Sequence, residues 1–111
     1  MPCLDMAQIQ ELKDIMEDAF DDLVITYLHD CEQKLSSLDL AIKDSESNKI
    51  AELAHSIKGA SSNICATDLA ELCKKVEDSG RADELAKVPE YYHQILEEFQ
   101  QVKLQLSEAR T

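Results

Sequence analysis

Apolar residues recur along this chain at helical spacing, and little interrupts them. Between Phe20 and Ile42 a single stripe reads Phe20, Val24, Tyr27, Cys31, Leu35, Leu38 and Ile42, each member three or four residues from the last. An α-helix turns about 100° per residue, so that alternation keeps every member on one face. Near the C-terminus Val88, Tyr92, Ile95, Phe99, Val102 and Leu106 repeat the pattern. Only 2 glycines and 2 prolines punctuate the 111 residues, and strong helix formers abound, so the expected class is all-α.

Five helical segments can be marked out: a short one at 5–17, then longer ones at 18–43, 47–63, 67–80 and 89–108. The first has Ile9, Leu12 and Ile15 or Met16 as its apolar edge. Ser47 or Asn48 is the expected cap of the third helix and Thr67 that of the fourth, which buries Leu69, Leu72, Cys73 and Val76 before Gly80 stops it. Pro89 suits the first turn of the fifth. Four long amphipathic helices with short connections predict an antiparallel up-down four-helix bundle, with the short N-terminal helix across one end, in one domain over residues 1–111. Ile25 and Leu40 fall outside the stripe of the second helix; either the first helix covers one of them, Ile25 being the expected one, or they help form a docking surface beside His55.

The third helix carries the chemistry. Measured from Ile50, the residues Ile50, Leu53, Ala54, Ile57, Ala60 and Ile64 lie within roughly 60–80° of one direction, which marks the buried stripe. His55 lies roughly 160° from its middle and faces outward. The residues four before and four after share its face, and these are Ala51 and Gly59, both minimal. A mid-helix glycine costs about 1 kcal/mol relative to alanine, so Gly59 calls for a compensating reason, such as close approach of a partner. Lys58 reaches over the same face as a cation for a phosphate, and Ser62 offers a hydroxyl one turn on.

The run from His55 to Glu77, HSIKGASSNICATDLAELCKKVE, resembles the signature of histidine-containing phosphotransfer (HPt) domains, and the chain is most similar to the stand-alone bacterial type. The resemblance implies that His55 is the phosphoacceptor, Lys58 the phosphate-side lysine and Gly59 the small residue that leaves the ring open. It implies a docking face around the second and third helices, with Ala51, Glu52 and Ser62 meeting the partner. The partners implied are the receiver domain of a hybrid sensor histidine kinase and that of a response regulator, which brings its own Mg²⁺ to the transfer. The protein would then be a monomeric, cytoplasmic shuttle without a cofactor of its own, and not an enzyme. Cys65 departs from the family pattern, standing where many members have glycine, which bears on how the third helix ends.

Other features close off alternatives. The net charge of −12, from 11 basic and 23 acidic residues, argues against nucleic acid. Between Asn48 and Ile64 the charges are Lys49, Glu52 and Lys58, two positive against one negative, so the acidity relents around His55. Cys3, Cys31, Cys65 and Cys73 form no C-x-x-C pair and are expected to be reduced thiols, with Cys31 and Cys73 buried as small hydrophobes. No metal-ligand spacing, nucleotide-binding loop, signal peptide or membrane-length apolar run occurs. His29 and His93 read as ordinary surface histidines, and the adjacent pairs Asp21–Asp22 and Glu97–Glu98 as solvated faces. The competing readings are a helical adaptor that binds receivers or kinases without carrying phosphate, and the dimerising phosphoacceptor hairpin of a histidine kinase.

Overall fold

The structure, a computed structural model, describes residues 6–110. It contains five helices: α1 (Met6–Met16), α2 (Ala19–Lys43), α3 (Ser47–Asn63), α4 (Thr67–Arg81) and α5 (Val88–Ala109). There is no strand among the described residues. Cys3 and the expected helix start at Asp5 lie outside them.

The apolar stripes become the core. On α2 the buried residues are Phe20, Val24, Tyr27, Cys31, Leu35, Leu38 and Ala41. Ala41 takes the place expected of Ile42 because the turn folds back over it: the Glu46 N–H donates to the Ala41 carbonyl at 3.0 Å. Ile42 packs against the core only in part. Across from this stripe stand Ile50, Ala54 and Ile57 of α3, Leu69, Cys73 and Val76 of α4, and Ile95, Phe99, Val102 and Leu106 of α5.

Helix α2 packs on α3, α3 on α4, α4 on α5, and α5 back on α2. Between α2 and α3, and between α2 and the C-terminal end of α5, bonded residues run in opposite senses along the chain. Tyr27 and Lys34 of α2 bond Ser61 and Ser56 of α3, at 2.8 and 2.6 Å. Glu32 and Asp21 of α2 pair with Lys103 and Arg110 near the end of the chain. Helix α1 inserts Ile9 into the core and ties itself to the end of α5, where Lys13 Nζ donates to the Ala109 carbonyl at 2.7 Å. Buried this way, α1 leaves Ile25 uncovered, contrary to expectation: Ile25 and Leu40 are both exposed.

The three turns joining α2 through α5 share one closure. After α3, the Ala66 N–H donates to the Ser61 carbonyl and the Cys65 N–H to Ser62, with Cys65 at φ 65°. The same paired bonds recur around Ser45 (φ 53°) and Asp83 (φ 53°). This is the Schellman arrangement, whose left-handed residue is usually glycine. Here serine, cysteine and aspartate occupy it, each at about 1 kcal/mol of steric cost. Gly80 therefore does not stop α4, which continues through Arg81. Ser47 and Thr67 are first helical residues rather than caps, and the Ser47 hydroxyl turns instead to the Asp83 carboxylate.

Candidate functional site

Gly80 is the residue that builds the site. A Cβ there would stand 2.8 Å from the Ser47 carbonyl oxygen, 2.9 Å from the Ala51 amide nitrogen and 3.1 Å from the Ala51 Cβ. Helices α3 and α4 thus meet backbone to backbone at this point. Ala51 is buried under the contact, with 3% of its surface exposed, so it cannot form part of a docking face. The spacing on α3 showed that Ala51 and His55 share a side; it could not show that α4 closes over one of them.

One turn from this contact on each helix stand His55 and Glu77. The side chain of Glu77 is 7% exposed, and that of His55 is 61% exposed. Glu77 Oε2 is 3.0 Å from His55 Nδ1. Lys58 Nζ donates to Oε1 at 2.6 Å, while Arg81 donates to Oε2 through Nε at 3.1 Å and Nη2 at 2.6 Å. The Lys58 hydrogen bond is the largest influence on this carboxyl. Burial opposes it, the Arg81 bonds and the Lys58 charge reinforce it, and the carboxyl is held at about 2. Glu77 is therefore ionised at neutral pH and can only accept hydrogen bonds. Because Glu77 only accepts, the proton in its contact with His55 belongs to Nδ1, and in the neutral imidazole the lone pair is then on Nε2, the other ring nitrogen.

The remaining expected site residues are distributed around this hub. Lys58 does not stand free over the His55 face but is engaged with Glu77, its side chain 28% exposed. Gly59 is exposed, and a Cβ on it would meet nothing within 4 Å. Packing within the chain therefore gives no reason for a glycine here. Glu52 and Ser62 are exposed on the same helix. Next to His55, Ser56 turns toward α2 and accepts from Lys34, which also pairs with Asp30 at 2.8 Å.

Glu77 and Arg81 were not expected as site residues, although one signal pointed to the first. Glu77 stands four residues after Cys73 on the buried side of α4, a carboxylate inside an apolar stripe. Such a group is seldom buried without cationic partners. Arg81, four residues further, then falls within reach of it.

The side chains around His55 thus combine an exposed ring nitrogen, a buried anion that orients the ring, and two cations. Among the described residues no group of His, Cys, Asp and Glu is placed to hold a metal ion, and no helix is long and apolar enough to cross a membrane. The family model for the Hpt domain matches residues 22–108. The chain belongs to the Hpt family. This Hpt protein is also similar to a solved relative, the crystal structure of histidine-containing phosphotransfer protein B (HptB) from Pseudomonas aeruginosa PAO1. The two are 35% identical, the match covers 97% of this chain and 94% of that one, and the TM-score is 0.93. No curated protein matches. The family match takes in the whole of α3 and α4, and with them His55, Lys58, Gly59, Glu77 and Arg81; α1 of this Hpt protein precedes it.

Proposed function

We propose that this protein is a phosphorelay intermediate that accepts a phosphoryl group on Nε2 of His55 from a receiver-domain aspartate and passes it to the aspartate of another receiver. The observation that carries the reading is the pairing of an open imidazole with a buried, ionised carboxylate at its other nitrogen, 3.0 Å away. That pairing leaves one nitrogen nucleophilic and aims it at solvent. The scaffold is read as one domain, an antiparallel up-down four-helix bundle with α1 across one end.

In the forward step the Nε2 lone pair forms an N–P bond as the acyl-phosphate P–O bond breaks, and that electron pair returns to the receiver's aspartate. The Nδ1 proton stays where it is. The ring becomes a phosphoimidazolium whose new positive charge rests against Glu77, so no proton has to move at the moment of transfer. Lys58, one turn from His55, supplies positive charge for the phosphoryl oxygens. Mg²⁺ belongs to the receiver and neutralises charge on the donor side. Reversal through the same contacts delivers the group to the second receiver.

Gly59 leaves room for the partner beside the ring, and Glu52 and Ser62 are the docking residues on the same helix; Ala51 is not one. The partners are the receiver of a hybrid sensor histidine kinase and that of a response regulator. The protein acts in the cytoplasm as a monomer and has no kinase activity of its own. The test is transfer from a phosphorylated receiver to the wild type and to His55→Gln. Acid-labile, alkali-stable label on the wild type alone is the expected result. Label persisting on His55→Gln would overturn the assignment, and binding without label on either protein would replace it with a phosphate-free adaptor.

A further inference from the structure

The two oxygens of Glu77 carry unequal loads. Oε1 accepts one bond, from Lys58, whereas Oε2 accepts three, from His55 Nδ1 and from Nε and Nη2 of Arg81. A carboxylate oxygen offers about two lone-pair directions, so His55 and Arg81 compete for the same acceptor. Their anchorage also differs. Lys58 is mostly buried, while the side chain of Arg81 is 59% exposed at the last turn of α4, and both of its hydrogen bonds end on Glu77.

Building on the assignment of His55 as phosphoacceptor, we propose that Arg81 is a second phosphoryl-binding cation, handed from Glu77 Oε2 to the phosphoryl group when His55 is modified. The N–P bond forms at Nε2 as the donor's P–O or P–N bond breaks, the electron pair leaving with the donor. The product carries a dianionic phosphoryl group on a cationic ring whose Nδ1–H is now a stronger donor. Release of Arg81 gives Oε2 to that proton and a guanidinium to the phosphoryl oxygens, which guanidinium groups bind through paired N–H bonds. The charges balance as well. Glu77, Lys58 and Arg81 together carry one excess positive charge, and phosphorylation of a neutral imidazole adds one net negative charge, so the modified cluster is neutral. Without Arg81 the modified cluster would be left with an uncompensated negative charge.

The experiment uses two phosphoryl donors, a phosphorylated receiver domain and potassium phosphoramidate, with the wild type, Arg81→Ala and Arg81→Lys. Arg81 Nε–H is followed by NMR before and after phosphorylation by phosphoramidate. In the wild type its resonance is expected to move when His55 is modified. With the receiver, Arg81→Ala is expected to shift the equilibrium about tenfold toward the phosphorylated receiver, and Arg81→Lys to recover part of that loss. A merely structural Arg81 would change the melting temperature while leaving the phosphoryl equilibrium with the receiver at the wild-type value. An unmoved signal, or an equilibrium in Arg81→Ala equal to wild type, overturns the handover while leaving His55 as carrier. Failure of the wild type to take label on His55 from either donor instead removes the reading on which the handover rests.

Discussion

Alanine placed at each of the two glycines should have unequal effects on stability, although both stand inside helices. At Gly59 the new methyl meets nothing within 4 Å, so the change is one of helix propensity alone, a gain of about 1 kcal/mol. For a chain of this size that is about 4 °C in melting temperature. At Gly80 the same gain is opposed by a methyl 2.8 and 2.9 Å from two backbone atoms of α3, which no rotamer change can relieve. Overpacking of this kind costs about 1–3 kcal/mol. Gly80→Ala should therefore be less stable than Gly59→Ala by about 1–3 kcal/mol, a difference set by contact rather than propensity. Urea midpoints with unchanged slopes measure it directly. On the proposed docking, Gly59→Ala should slow transfer from the receiver and leave phosphorylation by phosphoramidate unaffected. Equal stabilisation by the two alanines would refute the close approach of α3 and α4 from which the site has been built.

Two further outcomes follow from the buried groups. The Lys58 and Arg81 bonds hold the Glu77 carboxyl at about 2 in the folded protein against about 4.5 for a free glutamate, so its contribution to stability is fully present above about 4.5 and is lost as pH falls toward 2. The stability gap between wild type and Glu77→Gln should thus narrow across that window in denaturant titrations at several pH values, and a gap independent of pH would contradict it. Burial pushes the Cys31 thiol up to about 11 and the Cys73 thiol up to about 12, whereas Cys65 is partly exposed. In a Cys3→Ser protein at pH 8, a thiol reagent should modify Cys65 first and reach the other two only on unfolding, with peptide mass mapping as the readout.

What could be read from the letters divides along a physical line. The five helices and the outward direction of His55 depend on periodicity within one segment, and the stripe from Phe20 to Leu38 is buried as its spacing requires. Ala51 and Gly80 depend on the distance between two segments. A small residue on an outward face and a glycine near a helix end have obvious local meanings, an open surface and a stop. The contact between them reverses both. Lys58 was legible as a cation near His55, but its resting partner lies nineteen positions along the chain on another helix. Ile25 shows the same limit: its direction on α2 was plain, while the place where α1 would settle was not.

The repeated turn has a consequence for how sequences of this kind can vary. Each of the three connections fixes the phase between consecutive helices through two backbone hydrogen bonds, and the residue at its left-handed position is a different one each time. The turns work as rulers marked in peptide units: the side chain at the mark changes the steric cost of the turn but not its count. His55 and Glu77 lie on either side of one of them and are held opposite each other by counted backbone. Substitution can therefore run widely through the connections and the solvent face while His55 and Glu77 keep their mutual distance. Insertion or deletion of a single residue there would move one of them out of reach of the other.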